Sequence, residues 1–303
     1  MVLVAHGFYE VQNNSLIPER ISSLFNISSK EIVRILNPLS QDLSILRPNM
    51  FYNGIETIRY NLNRQNYNLK IFEFGHVYHV KDSDYVETQK LSLFCCGLTK
   101  LKNWQEGDKK VNFFYMKSIL DKILVHVGLD LNILDINSHN NSYITNKLEY
   151  SLNNQSIGSV GQFFTKTLNQ LGVKKDIYFI DINLDLMLSL VNNSHSISYQ
   201  CTSRFPSISR DLSLLVDKNI PYKKIKDAIN SHNSHFLTKF SLFDLYEGDK
   251  IDLNKKSFAL TFLFQSAKKT LTDIEVDRDL YGIYQCLNTK FQITLRDGEL
   301  IVQ

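Results

Sequence analysis

Apolar residues recur along the chain with two periods, and the change from one to the other marks its elements. In RPNMFYNGIETIRYNLNR, Phe51, Ile55, Ile58 and Leu62 follow one another at four, three and four residues, which predicts a helix with one buried face. Phe113, Met116, Leu120, Ile123 and Val127 repeat the pattern and predict a second helix ending at Gly128, a suitable C-terminal cap. Between them LKIFEFGHVYHV and QKLSLFCCGL read as neighbouring strands, with the polar stretch KDSDYVET as their connection. KLEYSLNNQSIGSVGQF reads as a hairpin about Asn153 to Gln155, and DIYFIDI as a further strand. This is an α+β region around a mostly antiparallel sheet.

The stretch NNSHSISYQCTSR is polar, almost free of large aliphatics, and lies between two periodic regions, so residues 192–203 are taken as a linker between domains at 1–191 and 204–303. After it the order is simple. RDLSLLV is a strand, IPYKKIKDAIN a short helix with Pro221 near its first turn, and LTKFSLFDLY and KSFALTFLF are strands joined by EGDKIDLNK. TLTDIEVDRDLYGIYQCL is a helix opened by the capping box Thr272-x-x-Glu275 and carried by Val276, Leu280, Ile283 and Leu287; FQITLR closes the domain as a strand. The order βαββαβ is that of a ferredoxin-like fold, two helices on one face of a four-stranded antiparallel sheet.

Alternation then predicts what the other face carries. Leu212, Leu214 and Val216 face the helices, which turns Asp211, Ser213 and Leu215 outward; Ile293 and Leu295 face inward, which turns Thr294 and Arg296 outward. The two middle strands are apolar in both phases, but Asp244 and Tyr246 share one phase and Ser257 begins the next strand. One open face is thus expected to gather Ser213, Asp244, Tyr246, Ser257 and Arg296, an aromatic ring, a guanidinium and short hydrogen-bonding groups of the kind that unpaired bases stack on and pair with. The pair Arg210–Asp211 at the mouth of the first strand is open to three readings: a catalytic pair, a structural ion pair, or the edge of a binding face.

Composition adds limits rather than a function. The 303 residues are 43% hydrophobic and 21% charged, ordinary for a globular chain of two domains, and a formal charge of +3 leaves any nucleic-acid contact to local clustering. The four cysteines include no C-x-x-C pair, the apolar runs fall far short of the roughly 20 residues that span a bilayer, and MVLVAHGFYE lacks a secretory pattern, so a reduced cytoplasmic protein without membrane contact is expected. His76 and His79 stand three apart on a strand and point to opposite faces; His232 and His235 lie in a polar loop without an acidic or Cys partner nearby, so no metal site is expected. Neither G-x-S-x-G nor a Walker-type loop is present, and GSVG lies in a hairpin rather than before a helix. Trp104 and Phe113 to Tyr115 are read as core or interface packing.

The stretches RFPSISRDLSLLV, LFDLYEG, KSFALTFLF, TLTDIEV and the final LR together resemble the ferredoxin-fold anticodon-binding domain at the C-terminus of the bacterial phenylalanyl-tRNA synthetase beta subunit, with all elements in order. GFYEVQNNSL, NPLSQDLSILRPNM, YNLNR, LKIFEFGHVY, WQEGDKKVNFFYMKSIL and GSVGQFFTKTLNQLGV are similar to that subunit's class II synthetase-like core, again in order. The resemblance implies a heterotetramer of two alpha and two beta chains, in which the alpha chain holds phenylalanine, ATP, Mg2+ and the tRNA 3′ end. The beta core packs against it as a degenerate copy of the catalytic fold. NPLSQDLSILRP resembles motif 1, which builds subunit interfaces in class II folds. The motif 2 strand reads IFEFGHVY, with Glu73 and no nearby Arg, and no Gly-rich strand-helix segment with an Arg follows, so no catalytic residue and no cofactor of its own are expected in this chain.

Since the resemblance starts inside the core domain, the chain is expected to be a C-terminal portion of that subunit. Carried over residue by residue, the family's anticodon contacts fall on the open face: Tyr246 stacks on a base, Asp244 and Ser257 hydrogen-bond to base edges, Arg296 reaches a base or phosphate, and Ser209 and Ser213 line the first strand. The resemblance thus implies a ligase subunit that docks on the alpha chain and binds the anticodon of tRNA-Phe. A general ferredoxin-like RNA- or protein-binding module fused to an unrelated α+β domain is the alternative.

Overall fold

The structure is a computed structural model; it describes residues 2–191, 201–248, 251–252 and 254–296. The chain folds into two compact units that divide within the polar stretch around residues 197 and 198, and most of the expected linker, 192–200, lies outside the described residues.

In the first unit the main elements are β1 (Tyr9–Glu10), α1 (Phe51–Leu62), β2 (Leu69–Lys81), β3 (Asp84–Cys96), α2 (Phe113–His126), β4 (Asp135–His139), β5 (Ile144–Leu152), β6 (Gln155–Phe163), β7 (Tyr178–Asn183) and α3 (Leu184–Val191). They form a seven-stranded sheet in the order β1-β2-β3-β7-β6-β5-β4, antiparallel except for β1 on β2. Each face of the sheet has its own core. On one, Leu91, Leu93, Val160, Ile180 and Ile182 pack with Met116, Ile119, Leu120 and Leu124 of α2. On the other, Ile71, Phe94, Phe163 and Phe179 pack with Phe51, Ile55 and Ile58 of α1, the Phe51 ring lying 4.9 Å from that of Phe179. Helix α1 lies this close because residue 54 is glycine: a Cβ there would come within 2.3 Å of the Phe94 ring.

Both helices follow the predicted period, and α2 starts where the Asn112 side chain accepts a hydrogen bond from the Tyr115 amide. The β5–β6 hairpin turns at Asn153 and Asn154, both at positive φ, a conformation asparagine tolerates and the two-residue turn requires. The β2–β3 connection is different from expectation. KDSDYVET is not a polar connection, because the pairing runs on to Lys81 and Asp84 and the chain reverses at Asp82 and Ser83. Polar residues extend this hairpin because its outer end is exposed on both faces and needs no apolar alternation.

The second unit consists of β8 (Ile208–Asp217), α4 (Tyr222–Ser231), β9 (Leu237–Tyr246), β10 (Lys255–Phe264), α5 (Asp273–Phe291) and β11 (Thr294–Leu295). The sheet order β9-β10-β8-β11, antiparallel throughout, is the ferredoxin-like arrangement. One face is the core: Leu212, Leu214, Val216, Phe258, Leu260, Phe262 and Phe264 against Ile225 and Ile229 of α4 and Val276, Leu280, Ile283 and Leu287 of α5. The Thr272–Glu275 capping box forms at the start of α5. The closing strand is shorter than FQITLR. Helix α5 continues through Phe291 and Gln292 caps it in the left-handed region, which leaves two residues to pair with β8.

Candidate nucleic-acid interface

The open face of the second sheet is assembled from the phases that the cross-strand register assigns. Side chains directly opposite in an antiparallel pair share a face. Asp211 opposes Thr261, Ser213 opposes Ala259, and Leu215 opposes both Ser257 and Thr294. Asp244 opposes Ala259 and Tyr246 opposes Ser257 on the far side of β10. Ser209, Ser213, Asp244, Tyr246 and Ser257 therefore lie on one face, as alternation predicts. Arg296 follows β11 and its amide bonds to the Ser213 carbonyl at 3.0 Å.

Two of these side chains meet. The Arg296 guanidinium lies over the Tyr246 ring, 4.8 Å from its centroid, within the range of a cation–π contact. Tyr246 is half-buried, and its ring closes against Gly248, where a Cβ would fall 2.7 Å from the hydroxyl. Asp244 and Ser209 are exposed and Ser213 is half-buried. Asp244 has no hydrogen-bond or ion-pair partner among the described residues. Ser257 is a correction: it belongs to the face by register but is only 3% exposed. Its short side chain sits between Tyr246 and Leu215, neighbours large enough to cover it, so its hydroxyl is not presented to solvent.

Alternation alone missed part of this face. A bulge between Leu242 and Asp244 shifts the phase of β9, so Ser241, opposite Thr261, and Lys239, opposite Leu263, join Asp244 and Tyr246, while Leu242 turns to the core. That bulge explains why β9 is apolar in both phases. Its only trace in the sequence is that Phe240 and Leu242 share parity with Asp244 and Tyr246, which a regular strand does not permit for one polar face. Thr261 also joins the face, and its hydroxyl donates to Asp211 Oδ1 at 2.6 Å.

Arg210 belongs to the other face. It opposes Phe262, on the helix side, and its guanidinium donates through Nε to Asp277 Oδ1 at 3.0 Å and through Nη2 to Asp273, both at the start of α5. Those two hydrogen bonds hold its pKa above the usual arginine value. The strand-mouth pair is thus divided, with Arg210 fastening β8 to α5 and Asp211 facing outward. Among the described residues no group of three or more His, Cys, Asp or Glu is placed to hold a metal ion.

Residues 1–184 match the family described as the phenylalanyl tRNA synthetase beta chain CLM domain, and residues 203–296 match the ferredoxin-fold anticodon binding domain. The chain belongs to the phenylalanyl-tRNA synthetase beta-chain family. Among curated relatives, it is 33% identical over 306 residues to the phenylalanine–tRNA ligase beta subunit of Bacteroides thetaiotaomicron, covering 97% of this chain and 37% of the relative. It is 28% identical over 290 residues to the protein of the same name from Thermotoga maritima, covering 96% and 36%. The chain therefore spans a little over a third of the length of these relatives. Among solved structures, a pyrrolysyl-tRNA synthetase from Desulfitobacterium hafniense superposes with a TM-score of 0.49 and 13% identity, over 64% of this chain and 66% of that one.

In the beta-chain CLM domain, the sheet face beneath α1 carries a row of polar residues in register across six strands: Asn137, Glu149, Ser159, Asp181, Ser92 and Glu73. Each carboxylate in it is answered from within the chain. Glu73 accepts from Arg47 Nη1 at 2.8 Å and from Asn13 Nδ2 at 2.6 Å; Asp181 accepts from Lys90 Nζ at 3.1 Å and Ser92 Oγ at 2.6 Å; Glu149 pairs with Lys147 at 3.4 Å. Arg47, at the end of the motif 1-like segment, is 2% exposed and is committed to Glu73 and the His76 carbonyl. A small cavity of about 190 Å³ remains beside Lys90, Lys147, Glu149 and Asp181.

Proposed function

We propose that this chain supplies two services to a phenylalanine–tRNA ligase: a non-catalytic core that docks on the alpha chain, and a C-terminal domain that binds the anticodon of tRNA-Phe. The observation that carries the second part is the open sheet face, where Tyr246, Arg296, Asp244, Ser209 and Ser213 stand on one side of a ferredoxin-like sheet in a domain that matches the anticodon-binding family. On this reading Tyr246 stacks on an anticodon base, Asp244 accepts from a base edge, and Arg296 contacts a base or phosphate. Ser209 and Ser213 border the site. Ser257, only 3% exposed, is not among the base contacts. Residues 192–203 serve as the linker between a core domain at 1–191 and the RNA-binding domain at 204–303.

The core's role is supported by what its polar row lacks. Arg47 lies near the motif 2-like strand, yet its charge is consumed by Glu73, so this guanidinium is not free to hold a triphosphate. Leu39, in the motif 1-like NPLSQDL, and Leu36 just before it are 97% and 96% exposed and offer the apolar area that a subunit contact buries. Phenylalanine activation with ATP and Mg2+ then belongs to the alpha chain of an α2β2 assembly, and the complex works in the cytoplasm. No helix of the described residues is long and apolar enough to cross a membrane.

Co-expression with an alpha chain tests this. The chain co-purifies with it, and the purified chain alone shows no phenylalanine-dependent ATP–pyrophosphate exchange. Exchange by the chain alone, or no association, contradicts the reading.

A further inference from the structure

The chain's single tryptophan is in neither core nor cavity. Trp104 is 90% exposed at the tip of the loop that joins the short paired strands Leu98–Lys100 and Lys109–Lys110. Of the two expectations for it, core or interface packing, the exposure rules out the core. The loop is nonetheless well fixed. The Asn103 amide donates to the Glu106 carbonyl at 2.9 Å, and the Asn103 side chain accepts from the amides of Gln105 and Glu106 at 2.9 and 2.8 Å. The Lys102 amide donates to Asp108 Oδ1 at 2.7 Å, and Glu106 bridges Lys100 and Lys109 at 2.6 and 3.3 Å. Every one of these contacts is polar and none uses the indole, so the loop holds its shape while leaving the largest apolar side chain of the protein in water.

A hydrogen-bonded loop tipped by tryptophan has the properties of an interface anchor: a large apolar area and an N–H to satisfy at the rim. Its surroundings define the partner. Leu101 beside it is 65% exposed and Phe114, in the first turn of α2, is 76% exposed, so the segment from 101 to 114 offers aliphatic as well as aromatic area. Four lysines, Lys100, Lys102, Lys109 and Lys110, stand against Glu106 and Asp108, and the ammonium groups of Lys102 and Lys110 have no carboxylate partner among the described residues. RNA stacking makes use of the indole and the lysines but gains little from Leu101. An apolar pocket rimmed by carboxylates on a protein gains from all of them.

We propose that the 101–108 loop is a docking finger that inserts Trp104 into an apolar, carboxylate-edged pocket of the alpha chain. This rests on the reading that the core docks on that chain, and adds a second contact to the one proposed for the motif 1-like segment.

The test labels this chain with 5-fluorotryptophan, which gives one 19F resonance, and titrates it with unlabelled alpha chain. In the free chain the resonance shows the solvent-isotope shift of an exposed indole. On complex formation it moves, broadens to the linewidth of the assembly and loses that shift, and Trp104→Ala weakens association roughly tenfold or more while its far-UV spectrum stays that of the parent. A complex that forms with Trp104 still solvent-exposed overturns the finger and leaves core docking standing. Absence of any complex, judged by size-exclusion chromatography, overturns both. A resonance that moves with tRNA and not with alpha chain assigns the loop to RNA and overturns the proposal.

Discussion

Arg296 reaches Tyr246 across the whole width of the second sheet: the residue after β11 lies over the ring of the last residue of β9, with β10 and β8 between them. The ring therefore already has a cation on it before any RNA arrives. On the proposed reading, a stacked base shares the ring with the guanidinium or displaces it toward the phosphate backbone.

Arg296→Met separates these roles. It removes one cation and leaves the ring in place, so tRNA affinity falls and the slope of log K against log salt shrinks by about 1, the signature of one lost phosphate contact. Binding measured by fluorescence anisotropy across a salt series checks this. An unchanged slope means that Arg296 is only a cover for the ring.

Arg210→Met carries the opposite expectation. Its guanidinium faces α5 and holds Asp273 and Asp277 at a partly exposed site, so the substitution costs up to about 1 kcal/mol of stability. RNA affinity stays at the parent value. A loss of binding without a loss of stability would return Arg210 to the binding face.

Glu73 and Arg47 form the buried ion pair of the core, each 2% exposed at the side chain. Arg47→Met leaves Glu73 charged and unpaired in the interior and destabilises the first unit by about 3–5 kcal/mol, whereas the double variant Arg47→Met, Glu73→Leu recovers most of that loss. Gly75→Ala tests the same site sterically, because its Cβ would fall 2.2 Å from Arg47 Nη2. Urea denaturation followed by circular dichroism reads all three.

Much of this fold is legible in the sequence because its signals are redundant. The helix at 51–62 has period and length, α5 has a capping box and a full apolar stripe, and the order of elements names the second fold. What stays hidden depends on contacts between distant segments. No local rule announces that Arg47 will answer Glu73, that the β9 bulge will bring Lys239 and Ser241 onto the open face, or that Tyr246 and Leu215 will cover Ser257. That Asp244 and Tyr246 share a phase is readable from alternation; the bulge that turns that phase outward and the partner over the Tyr246 ring are not.

The cysteines give a pH test. Burial pushes the Cys96 thiol up to about 11 and raises the Cys95 thiol further, whereas Cys201 is exposed. At pH 8 a thiol reagent labels Cys201 first, and Cys95 and Cys96 react only on unfolding, which mass spectrometry of labelled peptides resolves. The unfolded thiols ionise near about 8.5 while the folded ones stay protonated. The unfolded state then binds fewer protons, so stability falls as pH rises from about 8.5 toward the Cys96 value of about 11. Rapid labelling of Cys96 in the native protein contradicts its burial.

The central claim is that the open sheet face binds an anticodon, and the direct measurement is a titration of the chain and its Tyr246→Ala variant with the anticodon stem-loop of tRNA-Phe and with a stem-loop carrying a different anticodon. The account predicts that the parent prefers the first RNA and that the variant loses about 1–3 kcal/mol of binding to it, the worth of one stacked base. Equal affinity for the two stem-loops, or an unchanged affinity in the variant, would contradict it.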